Sequence, residues 1–210
     1  MTTLPIIETL KQRLTPFDSR VRADAAVLIG LSLTPEPSIL LTQRALHMNS
    51  HAGEVAFPGG KRDADDLTLA ITALRESEEE VALPPSTVEV VGAMKPSRAK
   101  SGILVMPIIG VIHGEPELVG NPEEIDSVFR VPLQFFFDNK ATRDHRINFR
   151  GMDLVVPCFR YKHYIIWGLT AHMLVQFMRE AFDHHIDYPW PPILPGILVP
   201  KAATATGDDA

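Results

Sequence analysis

The sequence predicts a layered α/β/α domain on a mixed sheet, and two observations carry that prediction. Five short apolar runs, rich in β-branched residues, are each bounded by Pro, Gly or polar turns, as strands are. Two longer stretches repeat their apolar residues at helical spacing, so helices cover the faces of the sheet. At 210 residues and 45% hydrophobic content, the chain can bury one full core.

Taken in order, residues 1–22 form a helical segment in which Ile6, Ile7, Leu10 and Leu14 share one side of a short helix near 6–14. The domain proper is expected over 23–186. Its strands are "AAVLIGL" (25–31), "SILLTQR" (38–44), "VEVVGAM" (88–94), "ILVMPIIGVI" (103–112) and "LVVPCFRY" (154–161). Between the second and third strands lies a helix over 66–82, with Leu67, Ala70, Ile71, Leu74 and Val81 as its core stripe. The last helix runs over 169–182, where Met173, Leu174, Phe177, Met178 and Ala181 recur on one face. Residues 187–210 are Pro-rich and without periodicity, which predicts an extended or disordered tail, or a strap over a neighbour.

Composition removes some function classes. A formal net charge of −6 gives no general attraction to nucleic acid or to an anionic membrane, so a phosphate-bearing ligand needs a local basic patch. The single cysteine, Cys158, excludes an internal disulfide, fits a reducing compartment, and reads as inert core of an apolar strand. No apolar run approaches a membrane span, and residues 1–22 lack the basic start and apolar centre of a signal peptide. A cytoplasmic location is the expectation.

The stretch "RESEEEVAL" (75–83) is where chemistry concentrates. At about 100° per residue, Glu76, Glu79 and Glu80 fall within an arc of roughly 100°, opposite the core stripe, while Glu78 points to the flank. Three carboxylates so close repel one another unless a cation sits among them. Hard oxygen ligands at this spacing suit Mg²⁺ or Mn²⁺, and one helical turn separates Glu76 from Glu80, the favoured metal pair with Glu79 beside it. A solvated acidic face is the other reading, and these residues alone leave both open.

Upstream, "FPGGKRDADD" places Pro58, Gly59 and Gly60 in an expected tight turn that lets backbone approach a ligand. Together, Gly60, Asp66 and "RESEEEVAL" resemble the Nudix box, which runs Gly, five residues, Glu, seven residues, then Arg-Glu-hydrophobic-x-Glu-Glu-x-Gly-hydrophobic. Here Asp66 replaces the first Glu, eight residues precede Arg75, Ser77 stands at a hydrophobic position, and Ala82 replaces the glycine. The resemblance implies a Nudix-type α/β/α sandwich and metal-dependent hydrolysis of a nucleoside diphosphate linked to another group. It further implies that Glu76 or Glu79 orients the attacking water. Arg75 is expected to buttress the loop by pairing with an acid such as Asp66.

"LLTQRALHMNSHAGEVAFPGG" (40–60) is similar to the signature preceding the box in coenzyme A pyrophosphatases, through Leu40, Leu41, Thr42, Arg44, Ala45, Gly53, Phe57, Pro58, Gly59 and Gly60. Asn49 occupies the place of that signature's second arginine. Cleavage of coenzyme A to 3′,5′-ADP and a 4′-phosphopantetheine is what this likeness implies. Rival readings are a hydrolase of ADP-ribose or dinucleoside polyphosphates, and a catalytically silent binding module. Arg44 is a candidate for holding phosphate or a strand flank, and Lys95, Arg98 and Lys100 of "KPSRAK" suit a nucleotide 3′-phosphate or a solvated loop. Glu123 and Glu124 start a helix or supply a further metal carboxylate. His184 and His185 decorate a helix end. The partner expected is a small-molecule nucleoside diphosphate derivative, with a homodimer left open.

Overall fold

Alternation along one central strand sorts the molecule into layers. The computed structural model describes residues 3–99, 101–149 and 152–188, so Lys100 and the Pro-rich segment from 189 onward lie outside the described residues. Strand β1 (Ala25–Ser32) sends Ala25, Ile29 and Leu31 into one core cluster and Ala26 and Leu28 into another. The remaining strands of its mixed sheet are β2 (Ser38–Arg44), β3 (Val55–Ala56), β4 (Gly59–Lys61), β5 (Val88–Ala93), β6 (Ser97–Arg98), β7 (Leu104–Ile112) and β8 (Ile125–Pro132). β1 and β7 run parallel from Ala25↔Val105 to Ser32↔Ile112, and β5 and β8 pair antiparallel to β7 and β2. A second, antiparallel sheet comprises β9 (Thr142–Phe149), β10 (Met152–Tyr161) and β11 (Tyr164–Trp167).

Helix α2 (Leu69–Val81) covers one face of the main sheet, packing Leu69, Ala70, Ala73 and Val81 on Ala26, Leu28, Leu40 and Ile108. The other face is covered by α1 (Thr3–Arg13) and α4 (Gly168–Phe182), with the short α3 (Leu133–Asp138). Leu10 and Phe177 are fully buried there, each contributing about 1.5–3 kcal/mol by leaving water. The α/β/α sandwich expected from the sequence is the observed fold. All five predicted strands and both long helices are present, and Cys158 is buried within β10.

Local chemistry shifts some boundaries. The helix expected from 66 begins at Leu69, because Thr68 is its N-cap and accepts from the Ile71 N–H at 3.2 Å. The predicted core stripe is displaced as well: Leu67 is 81% exposed and Ile71 41%, whereas Thr72, Ser77 and Glu80 are buried. Thr72 and Ser77 tolerate burial by donating to the Thr68 and Ala73 carbonyls, so their polarity hid which face they occupy. The carboxylate face therefore flanks the core rather than opposing it.

Helix α2 ends in a left-handed residue, Ala82 (φ 55°, ψ 31°), whose N–H bonds the Glu78 carbonyl while that of Leu83 reaches Ser77. An alanine Cβ makes this conformation costly. Ala82→Gly is expected to stabilise the protein by about 1 kcal/mol, raising Tm by about 2–4 °C in calorimetry.

Candidate active site

The site is built where two strands part. β1 and β2 pair only at Leu31↔Ile39 and Ser32↔Ser38. Beyond that point β4 takes the edge of β1, with Ala26↔Gly60 and Val27↔Gly59, and β3 takes the edge of β2, with Thr42↔Ala56. The Phe57-Pro58 segment crosses the gap, and the Leu28 N–H donates to the Pro58 carbonyl at 2.8 Å. The tight turn expected at 58–60 is thus a bend at Pro58 followed by a strand. Gly59 has φ +149°, and a Cβ there would run into the β1 backbone at Ala26 and Val27. A Cβ on Gly60 would land on the Glu76 carboxylate, so this glycine lets α2 lie close over β4.

That close approach draws carboxylates out of water. The Glu80 side chain is only 5% exposed; Oε2 accepts from the Gly59 N–H at 3.0 Å, and Oε1 lies 3.4 Å from Arg44 Nη1. Burial pushes its pKa up to about 7, against the opposing pull of the Gly59 N–H and Arg44, and the charges of Glu124 and Glu76 push the same way. Burial likewise raises Glu76, which is countered by Arg75. Glu79 is more open, with 58% of its side chain exposed, and pairs with Arg75 Nη1 at 3.0 Å. Glu78 is exposed, as its expected direction required.

Arg75 is the hub of the loop. Its Nε and Nη2 donate to the two oxygens of Asp66 at 3.2 and 3.0 Å, and Nη2 also reaches the Lys61 carbonyl at 3.1 Å and Glu76 Oε1 at 3.0 Å. Asp66 is buried and also accepts from the Asp63 N–H. The Arg75 fork, with that N–H, holds its carboxyl down at about 2.

The remaining candidates divide. Arg44 joins the site, its Nη2 3.7 Å from Glu124, while its Nε is buried with no hydrogen-bond partner. Glu123 and Glu124 lie in a turn and start no helix. The turn is tied down because the N–H groups of Val119 and Asn121 satisfy the last-turn carbonyls of Val81 and Glu80. Glu124 is thereby brought beside Arg44, at the edge of the acidic cluster. Lys95 is exposed, and Arg98 belongs to β6, paired against Leu104 with its guanidinium on the Gly102 carbonyl; "KPSRAK" thus contains the two-residue strand Ser97–Arg98. His184 caps no metal cluster; its N–H closes the end of α4 on Met178 and its ring lies against Phe137.

A cavity of about 290 Å³ opens beside Arg44, a feature that the sequence reading missed. It is walled by Val55 of β3 and the following Phe57 and by Val156, Trp167, Leu169 and Met173 from β10, β11 and α4. No periodicity announces a pocket lined from segments more than a hundred residues apart.

Among the described residues, no group of three His, Cys, Asp or Glu encloses a common point, because Glu80 turns to Gly59 and Arg44 and Glu76 to Arg75. The donor chemistry nevertheless fits a hard divalent cation. Glu76, Glu80 and Glu124 are all oxygen donors, and two of them have raised pKa values from burial and mutual repulsion that a cation would relieve.

A NUDIX domain model matches residues 21–150. The chain belongs to the Nudix family. It is 45% identical over 165 residues to proteins called uncharacterized Nudix hydrolase NudL from Yersinia pestis (strain Pestoides F) and from Yersinia pseudotuberculosis serotype O:1b (strain IP 31758), covering 79% of this chain and 83% of each relative. A MutT/nudix family protein of Enterococcus faecalis shares the fold, with a TM-score of 0.50 at 15% identity over 87% of this chain and 70% of that one. Nudix hydrolases generally use divalent metal ions, which agrees with the donor set. In this Nudix hydrolase, the Trp167, Leu169 and Met173 walls of the cavity lie beyond the matched region.

The raised pKa of Glu80 has a stability consequence in the metal-free protein. Its folded value, about 7, exceeds the ordinary 4.5, so the folded state holds the proton more tightly. The cost of burying the charge is absent below pH 4.5, grows between 4.5 and 7, and is complete above, at most about 3 kcal/mol. Urea unfolding in EDTA is expected to show wild type losing stability relative to Glu80→Gln as pH rises from 5 to 8. A pH-independent difference between the two would refute the assignment.

Proposed function

We propose that this Nudix hydrolase cleaves the diphosphate bond of coenzyme A or its derivatives, releasing 3′,5′-ADP and a 4′-phosphopantetheine. The observation that carries the reading is the apolar cavity against Arg44, whose guanidinium bridges from that cavity to Glu80 on the acidic face. A diphosphate bearing a long, weakly polar arm suits such a junction: the diphosphate meets Arg44 and the arm enters the cavity. The Nε of Arg44 is buried without a partner, so a side-chain shift that gave it a phosphate oxygen would satisfy an otherwise unmet donor. The likeness of residues 40–60 to the coenzyme A pyrophosphatase signature supports the same substrate, since these residues form β2, β3 and β4 around the site.

A divalent cation bound among these carboxylates supplies charge neutralisation across the diphosphate and lowers the pKa of an attacking water. Glu76 and Glu80, with Glu124, are the residues proposed to hold it, and either Mg²⁺ or Mn²⁺ suits them. Glu79, more exposed and paired with Arg75, is proposed to accept a proton from the water, with Glu76 as the alternative. Asp66 and Arg75 fix the loop that presents Gly59 and Gly60, and their backbone is proposed to approach the substrate. Lys95, exposed, and Arg98 remain the candidates for a 3′-phosphate.

One observation favours a second reading. Trp167 and Tyr188 both line the cavity, and aromatic walls suit an adenine, as a hydrolase of ADP-ribose or dinucleoside polyphosphates requires. Product analysis on coenzyme A, ADP-ribose and dinucleoside polyphosphates with Mg²⁺ or Mn²⁺ separates the two. Coenzyme A is expected to be cleaved fastest, and faster cleavage of ADP-ribose would move the protein to the second reading. Glu80→Gln is expected to lower kcat on the order of 10³-fold with folding retained, while Glu78→Gln changes it less than about twofold. Undiminished turnover in Glu80→Gln would remove the metal role. Absence of turnover on the whole panel would favour a binding module.

A further inference from the structure

The charged lining of the 290 Å³ cavity, among the described residues, is Arg44, His51 and Glu54. The three are tied together: the Arg44 N–H donates to the Glu54 carbonyl at 3.0 Å, the Gly53 N–H returns to the Arg44 carbonyl at 3.1 Å, and His51 Nδ1 lies 2.8 Å from Glu54 Oε2. Arg44 already faces Glu80 and Glu124, so its charge is matched before any substrate arrives. An entering diphosphate needs a further cation at this end, and Asn49, exposed in the same loop, brings none.

His51 has two features suited to that need. Its backbone is left-handed, φ 57°, which is uncommon for a residue with a Cβ and is held here by the loop bonds around it. Its ring is anchored through Nδ1, which leaves Nε2 for another partner, and the side chain is 62% exposed at the cavity's edge. We propose that His51, anchored by Glu54, contacts substrate through Nε2, donating to a diphosphate oxygen where the substrate enters the cavity, with Glu54 as its positioning residue. The proposal rests on the hydrolase reading for the identity of the ligand.

The protonation requirement follows from the anchor. With Nδ1–H given to the carboxylate, a neutral ring has a bare Nε2 that accepts but cannot donate, so only the imidazolium binds a phosphate oxygen there. Imidazoles change charge between about pH 5 and 8. The charged and titratable groups facing the ring are Glu54 of its own loop and, around the cavity, Arg44 and Tyr188, whose hydroxyl burial keeps protonated.

The test compares wild type with His51→Gln on whichever panel diphosphate is cleaved, using the ratio of kcat/KM at each pH so that titration elsewhere cancels. The ratio is expected to be about tenfold at pH 6 and to fall to about twofold at pH 8.5, with the loss in KM. Glu54→Gln should raise KM in the same pH range with kcat retained. His113→Gln, which breaks a comparable His–Glu pair (2.9 Å to Glu89) away from the cavity, should change nothing. Independently of turnover, NMR titration of the wild-type imidazoles with Mg²⁺ and inorganic pyrophosphate should raise the pH midpoint of His51 and leave that of His113 unmoved. A pH-independent ratio, or a His51 midpoint that pyrophosphate does not move, overturns the proposal. If no panel member is cleaved, the hydrolase reading fails and the NMR result alone decides on His51.

Discussion

The whole site depends on how closely α2 can lie over β1 and β4, and two missing side chains set that distance. At Gly60 a methyl group would occupy the place of the Glu76 carboxylate, and at Gly59 it would meet the backbone of β1. Only because neither position carries a Cβ can the Gly59 N–H reach Glu80 Oε2 at 3.0 Å. The same proximity strips water from Glu76 and Glu80, so the geometry that locates the carboxylates also raises their pKa values. Position and reactivity are therefore one property of the packing.

Two arginines hold this acid cluster together without dissolving it. Arg75 spans Asp66, Glu76 and Glu79, while Arg44 spans Glu80 and Glu124, so each cation serves a separate part of the cluster. The division matters energetically. Asp66 receives both arms of a guanidinium and an N–H and is held near pKa 2, a fixed anion of the scaffold. Glu80 receives one long contact of 3.4 Å and one N–H, which do not repay its burial. The protein invests its strong pairing in the loop and leaves the would-be ligands undercompensated, the condition under which a divalent cation binds with most gain.

What the sequence disclosed follows from what burial dictates. β1, β2 and β7 are enclosed on both faces, so their apolar runs were unmistakable, and α4 exposes its period through Met173, Leu174, Phe177 and Ala181. β8 and β9 carry Asp126, Arg130, Arg143 and Arg146 among their apolar residues, because they are half-buried or on the smaller sheet, and so gave no strand signal. β3, β4 and β6 have only two or three residues each, too few for any periodicity; they exist because neighbouring strands leave edges to fill. The misplaced stripe of α2 has a different cause, since Ser77 and Thr72 satisfy themselves on the helix backbone and look solvent-facing in composition alone. In the site, helical spacing grouped Glu76, Glu79 and Glu80, and the likeness to the Nudix box singled out Asp66 and Arg75, whereas the approach of Glu124 to Arg44 and the cavity depend on long-range contacts that spacing does not encode.

The cavity of this Nudix hydrolase is assembled from two distant parts of the chain. Its inner wall, through Val27 of β1, Val55 of β3 and the neighbouring Phe57, comes from the segments over which α2 carries the acidic face, but its outer wall comes from β10, β11 and α4, beyond the matched family region. The acidic face and the outer wall of the cavity are thereby encoded in different parts of the chain. The two walls also meet directly, since the Thr170 hydroxyl of α4 donates to the Val55 carbonyl of β3 at 3.0 Å. Arg44 and the His51–Glu54 pair stand at the seam between the two parts, and Arg44 reaches from the cavity lining to Glu80 of α2.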